Sequence, residues 1–183
     1  MARRVDLQLY ETAKVMAKMQ ARACVISRIT GLSIADTRKI WHDEMGRSSP
    51  SGQQPNDDQW FLKSPLRRMH GALILQLYAR AQKAMPPHAA FTHAYYHYAR
   101  LTAGLAPRST WQGDPAFRQS EDDYVIPFLR AHFLTLLYTD ETLSDGQRKC
   151  NLQTRRCKSC GTLYLGHVEE VSSKCPICVA QKK

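Results

Sequence analysis

Two Cys-x-x-Cys pairs near the end of the chain constrain its fold more than any other feature. They are Cys157–Cys160 and Cys175–Cys178, with fourteen residues between the pairs. Each pair can hold a metal ion from a tight turn, and a hairpin of this length brings four thiolates into the tetrahedral shell that zinc prefers. Because four thiolates leave no open position for water, the spacing predicts one structural Zn²⁺ per chain.

The remainder of the chain has the pattern of a helical protein. Its 183 residues suffice for one sizeable core and a small appended module. Apolar residues recur at three- and four-residue intervals, which predicts a mainly α, multi-helix body over residues 1–140. The zinc-ribbon-like module of residues 141–183 is too short to build a core alone, so a metal would have to supply its stability.

Capping and breaking residues mark the expected elements. Helices are predicted over residues 5–29, 33–45, 65–85, 88–103 and 120–137, where Pro127 either kinks the last helix or marks a later start. Ser33 and Ser64 are expected N-caps, and Ile34, Thr37, Ile40 and Trp41 the inner face of the second helix. A strand is expected over residues 162–165, directly after a turn at Gly161 that requires positive φ.

The first two predicted helices have the layout of a helix-turn-helix. Gly31 separates them, and Asp36 completes a weak capping box with Ser33. In this interpretation Arg38 and Lys39 lie on the second helix, where a helix that reads a DNA groove needs donors. An ordinary helical hairpin within the core, or a docking surface for a partner protein, explains the same pattern.

The positive charge is concentrated around the cysteines. The net charge is +10, and residues 146–183 hold eight basic residues against two acidic ones. A basic surface around a rigid metal site suits contacts with nucleic-acid phosphates. Surface lysines that only favour solubility are the simpler alternative. The candidate phosphate contacts are Arg155, Arg156, Lys158 and Lys174.

No catalytic constellation is evident, so the chain is not expected to be an enzyme. The phosphate-loop, dinucleotide and GxSxG motifs are missing from the sequence. A redox role for the cysteine pairs is disfavoured because such pairs normally open a helix in an α/β fold. Histidines 88, 93 and 97 are expected at a helix surface, the carboxylates of residues 121–123 at a helix start, and His167 outside the metal shell.

The remaining cysteines and the compartment follow from the same features. No secretory signal and no apolar run of membrane-spanning length are visible, so a reducing, cytoplasmic location is expected, where metal binding is favoured over disulfides. Cys24 is expected as a small apolar helix residue. Cys150 is expected as a spare thiol or as a replacement ligand.

The chain resembles the FlhC family, the C subunits of the bacterial flagellar master transcriptional activator. Three segments carry the resemblance: ISRITGLSIADTRKIWHDEMGRSSPSG, the DQWF that follows, and LQTRRCKSCGTLYLGHVEEVSSKCPIC. The last is the most specific. Some members of the family carry a longer basic extension after the last cysteine, where this chain has residues 179–183.

The resemblance implies a function and a set of partners. Members of this family assemble with FlhD as two C and four D subunits, bind promoter DNA upstream of flagellar operons, and recruit RNA polymerase. The family's zinc is held by four cysteines that match Cys157, Cys160, Cys175 and Cys178. A protein–protein adaptor, in which the module docks a partner and its charge is incidental, and an RNA-binding ribbon protein are the alternatives.

Overall fold

The computed structural model describes residues 7–102, 125–143 and 150–181 and is mainly helical in these ranges, as the sequence predicts. The helices are α1 (Leu7–Lys18), α2 (Ala23–Thr30), α3 (Ile34–Met45), α4 (Pro65–Ala81), α5 (Pro87–Thr102), α6 (Phe128–Leu143) and α7 (Pro176–Ala180). A short 3₁₀ helix covers Gln59–Phe61. Two strands, β1 (Leu152–Arg156) and β2 (Leu163–His167), form one antiparallel sheet.

The single helix predicted over residues 5–29 is wrong, because the chain turns between α1 and α2. Gln20 adopts a left-handed conformation with φ of 67°. The amides of Gln20 and Ala21 bond back to the carbonyls of Ala17 and Met16, both at 2.9 Å, which is the Schellman ending of a helix. The Ala21 carbonyl also accepts a 2.6 Å hydrogen bond from the Trp41 indole. The hydrogen bond from Trp41 of α3 therefore lies at a break between α1 and α2 that the spacing of apolar residues does not indicate.

The turn between α2 and α3 follows the predicted chemistry. Gly31 has φ of 74° and its amide bonds to the Ser27 carbonyl. The Ser33 hydroxyl accepts a hydrogen bond from the Asp36 amide at 3.1 Å, so the predicted N-cap is confirmed. The inner face is confirmed in part, since its three later members are buried. Ile34 is 40% exposed instead, because it stands in the first turn of α3, at a surface cleft.

The central element is α4, which packs against α5, α6 and β2. It begins at Pro65 as predicted, although the Ser64 side chain makes no capping hydrogen bond. It ends at Ala81, before the predicted stop, and a turn covers residues 82–85. The predicted helix at 88–103 is confirmed as α5 within one residue at each end.

A network of buried aromatic side chains joins α4, α5 and the segment before α6. The Tyr98 hydroxyl lies 3.0 Å from His70 Nδ1 and accepts a hydrogen bond from the Ile126 amide at 3.1 Å. The Tyr95 hydroxyl donates to the Ile126 carbonyl at 3.2 Å. These hydrogen bonds satisfy the backbone amide and carbonyl of Ile126, which lies before α6 and outside its backbone hydrogen bonds. The helix begins only at Phe128, after Pro127, so of the two predicted alternatives Pro127 marks a later start rather than a kink, while residues 120–124 lie outside the described residues.

The sheet is packed against the helical body. Leu152 pairs with His167 and Arg156 with Leu163. Leu152 and Leu165 belong to the same buried cluster as the helices, and β2 lies along α4. The predicted helical body and predicted metal module therefore share one core. No helix in the described ranges has the length and apolar character needed to cross a bilayer.

The contact between α4 and β2 depends on a glycine. A Cβ atom at Gly71 would overlap Leu165 Cδ1 and lie 3.4 Å from Leu134 Cδ2. We expect Gly71→Val to lower the free energy of unfolding by about 1–3 kcal/mol, because the added methyl groups overpack a closed core. Urea titration measures the loss. Arg80→Val, on the exposed side of the same helix, is the control, and an equal effect of the two would contradict this packing.

The buried His132 predicts a pH-dependent stability. Burial, and secondarily Arg28, lowers its pKa from 6.5 to about 4. The folded state thus favours the neutral ring. The contribution of His132 to the free energy of unfolding is therefore complete above pH 6.5 and is lost as the pH falls towards 4. His132→Phe, which keeps a ring against Phe91, should remove up to about 3 kcal/mol of this pH dependence. Unfolding curves of the parent protein and of His132→Phe at pH 7, 5.5 and 4 measure this effect. If both proteins lost the same stability between pH 7 and pH 4, His132 would not be the cause of the pH dependence.

Candidate metal centre

Four cysteines from two separate turns come together beside β2. Their sulfur atoms all lie within 4.8 Å of one another, and Cys160 Sγ is 3.7 Å from Cys175 Sγ. Among the described residues, this is the one group of three or more His, Cys, Asp or Glu side chains close enough to hold a metal ion. The four cysteines predicted from their spacing thus form a site that can bind a metal ion.

The first pair is shaped by the turn between the two strands. Cys157 directly follows β1, and its amide bonds to the Thr162 carbonyl at 2.9 Å. The Gly161 amide returns to the Cys157 carbonyl at 2.9 Å. Gly161 has φ of 75°, the left-handed value predicted for this position. The turn therefore projects the sulfur atoms of Cys157 and Cys160 to the same side.

The second pair is shaped by the start of α7. Cys175 is the extended N-cap residue, and Pro176 occupies the first turn, where its missing amide hydrogen costs nothing. Cys178 then lies one turn along the helix. The Cys175 amide donates to Cys157 Sγ at 3.1 Å, so a hydrogen bond to sulfur already links the two pairs.

Hydrogen bonds within the cluster shift the pKa values of three of the four thiols. The backbone amide of Cys175 is the main cause that lowers the pKa of Cys157 to about 6. A hydrogen bond from the Thr162 side chain lowers the pKa of Cys160. Hydrogen bonding with Cys160 and then Cys175 raises the pKa of Cys178 to about 12. Four thiolates this close repel one another, and a bound metal ion removes that conflict.

An aromatic side chain closes one side of the cysteine cluster. Tyr164, from β2, is fully buried and packs with Cys157 and Cys175, and Met69 of α4 lies against the same group. The Tyr164 hydroxyl donates to the Ser172 carbonyl at 3.2 Å. The cluster therefore rests on the helical body rather than standing free in solvent.

Arg155 holds the loop between β2 and the second cysteine pair. Its guanidinium donates to the carbonyls of residues 167, 168 and 172 at 3.0, 3.1 and 3.3 Å, and to that of Glu170. Gly166 gives it room, since a Cβ there would lie 2.8 Å from Arg155 Cδ. The sequence predicts a phosphate contact at Arg155. In the structure, the guanidinium of Arg155 donates to backbone carbonyls of the protein itself.

Arg68 joins α4 to the module, a role that nothing in its local sequence indicates. Its Nε donates to the Leu165 carbonyl at 2.7 Å, and its guanidinium forms an ion pair with Glu170. The same guanidinium lies 5.3 Å from the centre of the Tyr164 ring. The two bonded partners are about a hundred positions away along the chain, so no local pattern could have indicated the contact.

The other predicted phosphate contacts fall into two places. Arg156 and Lys158 are exposed beside the first cysteine pair, where Arg156 also donates to the Gly161 carbonyl at 3.1 Å, and Lys174 is half-buried next to the second pair. Arg38 and Lys39 are exposed on α3, which packs on α1 and α2. The basic residues 148, 149, 182 and 183 lie outside the described residues.

The remaining candidate ligands stand apart from the cluster. Cys150 is buried in the main core and Cys24 is exposed on α2. His167 Nδ1 accepts a hydrogen bond from the Glu169 amide at 3.2 Å. His93 and His97 are exposed on α5 with their Nε2 atoms 3.1 Å apart. The carboxylates of residues 121–123 lie outside the described residues.

No protein-family model matches the chain, and no match is found among curated proteins. The resemblance to the FlhC family therefore remains a prediction.

Cysteine substitution tests the metal centre. We expect Cys157→Ser to abolish metal binding, because it removes a ligand and the sulfur that accepts the Cys175 amide. The change should unfold the region around the cysteines while leaving the helical signal largely intact. Metal content, thiol reactivity and circular dichroism measure these effects. Cys24→Ser is the matched control, and equal metal loss in both variants would exclude the assigned site.

Proposed function

We propose that the chain is a zinc-stabilised, DNA-binding subunit of a transcriptional activator, similar to the FlhC family. In this proposal it assembles with FlhD, binds promoter DNA of flagellar operons in the bacterial cytoplasm, and recruits RNA polymerase. The observation that carries the proposal is the cluster of four cysteines with exposed Arg156 and Lys158 beside it.

Zinc is the metal that suits this donor set best. With zinc–sulfur bonds of about 2.3 Å, a tetrahedral shell places its sulfurs about 3.8 Å apart. The 3.7 Å between Cys160 and Cys175 agrees with this spacing. Small structural zinc sites contribute on the order of 10 kcal/mol to folding. Zinc would therefore fix the turn that carries the basic side chains, without taking part in a reaction.

Two basic side chains are best placed for phosphate contacts at the module. Arg156 and Lys158 flank Cys157 and are exposed. Their backbone positions are set by β1 and by the Lys158 amide, which bonds to the Ser173 carbonyl at 3.0 Å. Phosphate contacts of this kind orient a protein on DNA without reading sequence. Arg155 supports them indirectly, because it holds the neighbouring loop.

The helix α3 is the candidate for contacts in a DNA groove. It follows a left-handed glycine and a capped N-terminus, and both Arg38 and Lys39 are exposed on it. This arrangement supports the helix-turn-helix interpretation. In that interpretation base contacts come from the helical body, and the zinc module adds phosphate contacts.

A protein–protein adaptor is the second candidate function. Val171 is 98% exposed in the loop that Arg155 holds, and Ile177 and Val179 are exposed on α7. Apolar side chains grouped in one small module suit a protein partner. An RNA-binding role shares the basic surface and is distinguished by competition between RNA and DNA.

Removal of two charges at the module tests DNA binding. We expect Arg156→Gln combined with Lys158→Gln to weaken duplex binding and to reduce the salt dependence of log K by about 2, because two phosphate contacts are lost. Fluorescence anisotropy at several salt concentrations, with and without FlhD, measures the slope. Zinc content should remain one per chain.

The matched control removes two exposed charges from the helical body, with Arg80→Gln and Lys83→Gln. It should leave the slope unchanged. Equal slopes for both double variants and the parent protein would refute DNA contact by the module. Protein binding without any duplex binding would favour the adaptor, and a preference for single-stranded RNA would favour the RNA-binding alternative.

A further inference from the structure

Three arginines converge on a cleft away from the cysteines. Arg22, Arg67 and Arg130 line a space of about 450 Å³ between the loop of residues 53–56, the 3₁₀ helix and the start of α6. Gln53, Gln54 and Asn56 add polar side chains. None of the lining residues in the described chain is acidic. Like charges gathered this way repel one another unless an anion joins them.

Trp60 positions two of the three guanidinium groups. The Arg67 Cζ atom lies 3.9 Å and the Arg130 Cζ atom 4.8 Å from the centre of the Trp60 ring. The ring is held by its edge contact with the buried Phe61. Stacked on one aromatic side chain, the two cations are pre-organised, so less side-chain freedom is lost when they bind an anion.

The third arginine is bonded to the loop that lines the cleft. Arg22 donates through Nη1 to the carbonyls of Gly52 and Gln53, both at 3.0 Å. Its Nε atom is buried and has no hydrogen-bond partner within the described ranges. An unpaired buried donor on a charged group is costly. Arg22 therefore adds positive charge at the cleft, with its Nη1 already bonded to the loop.

The neighbouring carboxylates are committed elsewhere. Asp57 Oδ2 lies 3.4 Å from Lys63 Nζ, and Asp57 Oδ1 accepts from the Gln59 amide at 2.9 Å. Asp58 Oδ2 accepts from the Asn151 amide at 3.3 Å. The backbone carbonyl of Asp57 is 3.4 Å from Arg130 Nη1, but its carboxylate faces Lys63. Neither of these two carboxylates is among the groups that line the cleft.

We propose that this cleft binds a phosphate group, with Arg67 and Arg130 as its principal donors. Planar guanidinium groups match pairs of phosphate oxygens, and charge-assisted bonds of this type are the strong ones. The phosphate can belong to a small phosphorylated molecule or to a nucleic-acid backbone. The second source rests on the proposed DNA-binding function, whereas the phosphate site itself does not.

Titration with inorganic pyrophosphate tests the site directly. The zinc-loaded full chain is titrated by calorimetry, and Arg67→Gln should weaken binding about tenfold through the loss of a charge-assisted contact. Arg80→Gln removes the same charge from the exposed face of the same helix and should have no effect. Equal affinities of the Arg67 and Arg80 variants, or no binding by the parent protein, would overturn the proposal.

A second variant separates loss of the site from loss of folding. Arg130→Gln changes the other arginine at Trp60 from a different helix, α6, and should weaken pyrophosphate binding to a similar extent. Thermal unfolding of each variant accompanies the titration. If Arg130→Gln bound pyrophosphate as tightly as the parent protein while fully folded, the assignment of the two arginines would be wrong.

A duplex DNA arm identifies the source of the phosphate. If the cleft contacts a DNA backbone, Arg67→Gln weakens duplex binding and pyrophosphate competes with the duplex. If it takes a small phosphorylated molecule, pyrophosphate binds and duplex affinity is unchanged by Arg67→Gln. Duplex binding without pyrophosphate binding would overturn the cleft and leave the proposed function standing. Pyrophosphate binding without any duplex binding would support the phosphate site in the cleft and contradict the proposed DNA-binding function.

Discussion

The close approach of β2 to α4 is the contact on which the arrangement of the molecule depends. Gly71 offers no side chain, so Leu165 can occupy the space above the helix. Arg68, one turn earlier, bonds to the Leu165 carbonyl and pairs with Glu170. The cysteine pairs follow the two strands of this sheet. Their position relative to the helices is therefore determined by packing, while a metal ion would determine the geometry among the sulfur atoms.

Charged side chains serve two different purposes around the module. Arg155 and Arg68 direct their guanidinium groups at backbone carbonyls and a carboxylate, which stabilises the loop that joins the strands to the second cysteine pair. Arg156 and Lys158 are exposed. The net positive charge of this region is thus a poor guide to its binding surface, because part of it is used internally.

The body carries a second concentration of positive charge, and its chemistry differs from that of the module. At the cleft near Trp60 the guanidinium groups stack on an aromatic ring and face polar amides. At the module the exposed cations Arg156 and Lys158 flank Cys157 along the chain. Were both surfaces to contact one nucleic acid, phosphate contacts at two separated positions would orient it relative to α3.

Local chemistry in the sequence was sufficient for the helix class, the caps at Ser33 and Gly31, the turn at Gly161 and the four cysteines that could hold a metal ion, because each depends on residues a few positions apart. The break at Gln20 was missed, because the backbone there adopts a left-handed conformation without glycine and the Ala21 carbonyl bonds to the distant Trp41. The sharing of one core by the body and the module, and the division of the arginines between internal bonds and exposed surface, were decided only by the tertiary structure. Those features join residues up to about a hundred positions apart, and no periodicity or spacing in a sequence encodes such contacts.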